Sequence, residues 1–318
     1  MERKKVFISV VVPMFNESEN IEAFYKRLTG VLEGIGHTYE VICVNDGSRD
    51  DTLDKLKELN RINPNYKVID LSRNFGKEIA LSAGLDMASG EVVVPIDADL
   101  QDPPELINDM LKKWEEGYDV VYAVRLDREG ETWLKKSTSS MFYKVIQKIS
   151  PLDIPRDTGD FRLMTRKVVD SLKELRETHR FMKGLFSWVG FRQTGITYRR
   201  EPRHGGKTKW NYLRLWDLAI EGITSFSYVP LRLSTFLGLF VSLVSLIYGL
   251  FLVARTLLFG NPVPGYPSLM VGILFLGGVQ LLTIGIIGEY VGRIYTESKR
   301  RPLYYVRESK GFDNWEDL

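Results

Sequence analysis

Apolar and polar positions change their spacing several times along the chain, and each change marks an element. The runs "VFISVVVP", "YEVICVN", "KVIDL", "EVVVPID" and "DVVYAVR", all before residue 126, are of strand length and too continuous for strands with one wet face. They predict strands buried on both sides, as in a parallel sheet. Between them the apolar spacing lengthens to the helical period. Helices are expected from about Ser18 to Leu32, Asp51 to Asn60, Lys77 to Ala88 and Pro104 to Glu116. Strands and helices in strict alternation predict an α/β fold, with a mainly parallel, doubly wound sheet and helices on both faces.

Near residue 228 the pattern changes again. Leu233 to Ala254 is free of charged residues for 22 positions, and Thr256 to Gly288 is uncharged throughout, interrupted by "GNPVPGYP". A 22-residue helix is about 33 Å long, against a hydrocarbon core of about 30 Å. Two membrane spans are predicted. A buried hairpin in a soluble protein is the alternative, but it needs neighbours to cover every face of both helices. Arg232 precedes the first span, while Arg293, Lys299, Arg300 and Arg301 follow the second. By the positive-inside rule both long ends lie in the cytoplasm, at the cell's inner membrane. The expected organisation is a soluble domain at 1–208, a juxtamembrane amphipathic helix at 209–228, two spans at 229–295 and a cytoplasmic tail at 296–318.

Composition adds exclusions. Lys and Arg number 43 against 41 Asp and Glu, a net charge of +2, so the chain as a whole lacks a nucleic-acid footprint. The single cysteine, Cys43, lies in an apolar run and reads as core, and the three histidines have no metal-ligand spacing.

Ligands of doubly wound sheets bind beyond the carboxyl ends of the strands. Here those ends read "PMFNESEN", "NDGSRDD", "LSRNFGK" and "DADLQD", rich in acids and amides. No glycine-rich dinucleotide or P-loop fingerprint is present, which leaves a divalent metal as the usual holder of phosphates. In an extended backbone side chains alternate, so Asp97 and Asp99 are expected to point to the same side where the strand "VVVPI" runs out, and they repel unless a cation joins them. Asp102-Pro103-Pro104-Glu105 has the form of a helix start, with Asp102 as N-cap. Asn16 with Glu19 and Ser48 with Asp51 also fit caps, leaving Glu17 and Asp46 without a local task.

Taken together, "VVVPMFNESENI", "VNDGSRDDT", "RNFGKEIALSAGLD", "DADLQDPPE", "DTGDFRLMTRKV" and "SFSYVPLR" ahead of two spans resemble family 2 glycosyltransferases. The likeness is to the polyisoprenyl-phosphate branch, similar to bactoprenol glucosyltransferases and, in the soluble domain, to dolichol-phosphate mannose synthases. It covers nearly the whole chain. It implies a nucleotide-sugar-binding GT-A-type domain, with Pro13, Glu17, Asp46, Lys77 and Asp97 holding a UDP-sugar. Asp97, Asp99 and Gln101 then form the D-x-D-x-Q metal site for Mg²⁺ or Mn²⁺. Arg125, Lys136, Ser140, Arg203 and Lys209 are the implied contacts to the phosphate of a polyisoprenyl lipid acceptor. For Lys136 a solvated helix face is an equal reading. Asp157 is the candidate on the base side of an inverting displacement. Because a phosphate monoester is already largely dianionic at neutral pH, with a second pKa of about 6, orienting acceptor or sugar is the alternative role for Asp157. Similar proteins form tetramers. The expected activity is transfer of one hexose, glucose by preference, to undecaprenyl phosphate at the cytoplasmic face. Other sugar donors, a processive polysaccharide synthase, a membrane-anchored nucleotide-sugar sensor and a flippase component are the rival readings; the second lacks its Q-x-x-R-W motif here.

Overall fold

The computed structural model describes residues 5–126, 155, 158–178, 180–199, 201, 227, 229–260 and 265–312. The strands are β1 (Phe7–Met14), β2 (Thr38–Asn45), β3 (Tyr66–Leu71), β4 (Val92–Pro95), β5 (Val120–Arg125), β6 (Thr158–Thr165), β7 (Gln193–Tyr198) and β8 (Val306–Lys310). The helices are α1 (Ile21–Ile35), α2 (Thr52–Ile62), α3 (Lys77–Met87), α4 (Leu106–Glu115), α5 (Arg166–Glu174), α6 (Met182–Trp188), α7 (Val229–Phe259) and α8 (Tyr266–Ser298). All eight strands form one sheet in the order β7-β5-β6-β4-β1-β2-β3-β8.

The predicted parallel core is present. β1 lies between β2 and β4, parallel to both, and β3 continues the series beside β2. Val10, Val11, Val12, Val41, Val44, Val92, Val93 and Val94 are each 0% exposed, as the continuous apolar runs require of strands covered on both faces. Two strands depart from the parallel pattern. β6 runs antiparallel between β4 and β5, and β8 runs antiparallel along the outer edge of β3. β8 lies in the segment expected to be a cytoplasmic tail. One compact unit is Met1–Ala219 and resumes at Arg301–Leu318, while the other is Ile220–Arg300. Pairing of β8 satisfies the open N–H and C=O groups of β3, which would otherwise be an exposed sheet edge.

Helix α3 crosses β1 closely, and Gly84 is the reason it can. A Cβ at this position would lie 2.2 Å from Val11 Cγ1 and 3.1 Å from Val44 Cγ2. Gly84→Ala is expected to lower stability by about 1–3 kcal/mol through overpacking, read as a lower denaturation midpoint against wild type.

In the second unit, Val229–Phe259 and Val271–Ser298 contain 18-residue stretches with mean hydropathies of 2.5 and 2.1 and are long and apolar enough to cross a membrane. The first helix continues past the uncharged run, through Arg255 to Phe259.

Candidate functional site

The expected nucleotide-binding residues gather at the carboxyl ends of β1, β2 and β4 and at the start of α3. β1 and β2 finish in register, with Pro13 opposite Val44 and Met14 opposite Asn45. The two following loops are bonded to each other. Asn16, with φ 53°, donates its N–H to Ser48 Oγ at 2.9 Å and accepts the Arg49 N–H on its side chain at 2.8 Å. The Glu17 N–H reaches Thr52 Oγ1 at 3.0 Å, and Asn20 Nδ2 donates to Glu17 Oε2 at 2.6 Å. Asn16 and Ser48 are therefore not helix caps. α1 begins at Ile21 and α2 at Thr52, neither with a side-chain cap bond, because these groups stitch loop to loop.

Asp46 anchors the next loop. Its carboxylate accepts the N–H groups of Phe75 at 2.7 Å and Gly76 at 2.9 Å and the Asn74 Nδ2 at 2.9 Å. Burial raises its carboxyl above the usual range, against those two N–H groups, which favour the charge. The loops meet so tightly that a Cβ on Gly47, at φ +63°, would lie 2.6 Å from the backbone of Arg73 and Asn74. In this geometry Asp46 acts first as the fastening of the "RNFG" loop, and through it sets where α3 and Lys77 begin.

The Lys77 ammonium lies between two carboxylates, 2.7 Å from Asp97 Oδ1 and 2.7 Å from Asp160 Oδ2. Burial works against its charge, but Asp160 and Asp97 outweigh it and raise its pKa. Asp160 is held below the ordinary carboxylate range: burial pushes it up, and Lys77 with Lys183 more than reverses this. The sequence singled out Lys77 and Asp97. The position of Asp160 opposite them is set by β6 inserting beside β4, which no local pattern announces.

β4 ends at Pro95, so Asp97 and Asp99 do not project from one extended strand as expected. The chain turns there, with Leu100 at φ 59°, and Asp99 Oδ1 accepts the Gln101 N–H at 3.1 Å. Asp99 is only 7% exposed. Asp102 corrects a second expectation: α4 begins at Leu106 without a side-chain cap bond, and the Asp102 carboxylate accepts the Tyr198 hydroxyl instead. Arg125 donates from Nε to Tyr198 Oη at 3.1 Å and lies 3.7 Å from Asp102 Oδ1. The main chain of Gln101 accepts the Glu201 N–H at 3.1 Å, and Arg27 pairs with both Glu105 and Glu201. The acidic turn is thereby tied to the exit of β7. Asp157, Lys136, Ser140, Arg203 and Lys209 lie outside the described residues.

Among the described residues no three or more His, Cys, Asp or Glu side chains are grouped to hold a metal ion on their own. Two carboxylates on one turn match instead the habit of Mg²⁺ and chemically similar ions, which take one or two protein carboxylates and complete their shell with phosphate oxygens and water. Asp97 and Asp99, with Gln101 beside them, fit a metal carried in with a diphosphate better than a permanent metal centre.

The Glycosyl transferase family 2 profile matches residues 9–173, and the GtrB C-terminal hairpin profile matches 229–294. The chain belongs to glycosyltransferase family 2. This family 2 glycosyltransferase is 58% identical over 306 residues to an uncharacterized glycosyltransferase of Synechocystis, covering 96% of each chain. It is 51% identical over 303 residues to a bactoprenol glucosyl transferase of Shigella phage SfV, covering 95% of this chain and 99% of the relative. Among solved structures, glucosyl-3-phosphoglycerate synthase from Mycobacterium tuberculosis in complex with Mn²⁺, UDP-glucose and phosphoglyceric acid aligns at a TM-score of 0.44 and 20% identity. That alignment covers 69% of this chain and 78% of the other.

Proposed function

We propose that the protein transfers one glucose from UDP-glucose to a polyisoprenyl phosphate, undecaprenyl phosphate by preference, at the cytoplasmic face of the membrane. The observation that carries this reading is the near-complete overlap, at 51% identity, with a bactoprenol glucosyl transferase, spanning both the α/β unit and the apolar hairpin. The rim geometry supports it. Asp97, Asp99 and Gln101 would hold Mg²⁺ or Mn²⁺ with the diphosphate; Pro13, Glu17 and Asp46 border the base and ribose, and Lys77 faces the phosphates. The metal, when bound, takes up negative charge developing on the leaving diphosphate. Lys77 is placed to share that charge, since it is a protonated ammonium already held beside Asp97.

Arg125, Lys136, Ser140, Arg203 and Lys209 are proposed to receive the acceptor phosphate. Asp157 is proposed to orient that acceptor on the face of the sugar opposite the leaving group, so that the anomeric configuration inverts. Both ends of the hairpin connect to one unit, because β8 pairs with β3 after α8. Two crossings return the chain to the side it left. This supports placing the soluble unit and both termini on one side, and the cations after Ser298 favour the cytoplasmic side. Assembly as a homo-oligomer, a tetramer by resemblance, belongs to the same proposal.

Membranes containing the protein, incubated with labelled UDP-glucose, Mg²⁺ and undecaprenyl phosphate, are expected to yield a labelled lipid. No labelled lipid with any UDP-hexose would leave the nucleotide-sugar sensor as the better reading.

A further inference from the structure

Behind the Lys77 ammonium the fold collects a second set of polar groups that the rim does not use. Glu78 follows Lys77 in the first turn of α3, Asp160 and Arg162 occupy alternate positions of β6, and Lys183 stands in the first turn of α6. They act on one another: Asp160 is influenced by Lys77, Lys183 and Arg162, and Glu78 by Asp160, Lys77 and Lys183. Arg162 is 4% exposed, with its guanidinium carbon 3.7 Å from the Phe186 ring centroid and Nη2 donating to the Gly159 carbonyl at 3.0 Å.

Three atoms of this set, Glu78 Oε2, Asp160 Oδ1 and Arg162 Nε, are buried with no hydrogen-bond partner among the described residues. Each such atom costs roughly 1–3 kcal/mol, and native proteins keep few of them. Asp160 and Arg162 alternate on β6, and Asp160 acts on Glu78 and pairs with Lys77 beside Asp97. The three unpartnered atoms therefore belong to one cluster, and such a cluster points to a polar ligand. The ligand must donate to Asp160, accept from Arg162 and exchange a hydrogen bond with Glu78. Vicinal hydroxyls, each both donor and acceptor, meet that demand. A phosphate dianion offers acceptors only and would leave Asp160 Oδ1 without a donor. The nucleobase belongs with the β1 and β2 loops on the other side of Lys77. Burial, reinforced by Asp160 and opposed by Lys77, Lys183 and the Met182 N–H, raises the Glu78 carboxyl well above the usual range, which favours its O–H form.

We propose that Glu78, Asp160 and Arg162 hold the hydroxyls of the transferred hexose and form the sugar-selecting part of the site. This rests on the reading of the protein as a UDP-hexose transferase. The test uses the full chain in detergent and compares Kd for UDP and for UDP-glucose, together with transfer to undecaprenyl phosphate, in wild type, Glu78→Met and Glu78→Gln. Methionine keeps the volume and helix propensity while removing the buried polar atoms, so that variant is expected to fold at least as well. UDP binding is expected to stay within about twofold of wild type in both variants. The affinity gained by adding the glucose, the ratio of the two Kd values, is expected to fall about tenfold in Glu78→Met, which is about 1.4 kcal/mol, and to be largely restored in Glu78→Gln.

Equal losses for UDP and UDP-glucose would assign Glu78 a structural role only. An unchanged ratio in Glu78→Met would mean that water alone meets these atoms, and either result overturns the inference. Failure of the wild type to transfer any hexose would instead overturn the proposed function, so the two failures are told apart.

Discussion

Asp99→Asn is expected to abolish transfer while leaving the fold intact. The substitution keeps an Oδ1 that can accept the Gln101 N–H, the 3.1 Å bond that shapes the turn after β4. What it removes is the charge. On the proposed reading that charge grips the divalent ion and through it the leaving diphosphate, and losing it should lower the transfer rate by roughly 10³-fold. The thermal midpoint should move by less than about 2 °C, as for substitutions that leave packing and hydrogen bonds in place. A rate equal to wild type would remove Asp99 from the machinery. A large drop in midpoint would show that the charge serves the turn itself.

The second large effect is on stability, at the neighbouring acid. Asp102→Ala is expected to leave the Tyr198 hydroxyl without its acceptor and Arg125, whose side chain is only 22% exposed, without its carboxylate. Removing one partner of a buried pair costs about 3–5 kcal/mol. At a separation of 3.7 Å and with part of Arg125 in solvent, the low end applies, about 3 kcal/mol. The thermal midpoint should fall by about 6–12 °C, and Tyr198→Phe, which keeps the Arg125–Asp102 pair, by less than half of that. Loss of a helix cap would cost only about 1 kcal/mol. Equal small shifts in both variants would restore the cap reading that the sequence favoured.

These two acids show where sequence reasoning reached and where it stopped. Spacing identified the segment 97–102 as chemically active, and the motif resemblance assigned Asp97 and Asp99 to a metal. Extending strand alternation through Asp99 failed because strand pairing ends at Pro95 and the chain turns, with Leu100 at φ 59°. Assigning Asp102 to a cap failed because its partner, Tyr198, lies 96 residues away in β7. Glu78 carried no signal, since a glutamate in the first turn of a helix is ordinary. Its unusual character comes from burial against β6 and α6.

The residue pattern by itself determined the alternating α/β unit with its mainly parallel sheet, the apolar hairpin and the family. Each depends on local periodicity or on contiguous motifs, which survive in one dimension. Only the tertiary structure decided that β6 inserts antiparallel beside β4 and that β8 returns from beyond the hairpin to cover β3. It alone placed Lys77 between Asp97 and Asp160. These are pairings between segments far apart in the chain, fixed by which sheet edge remains open and which buried charge needs a partner, and neither quantity exists until the rest of the fold has formed.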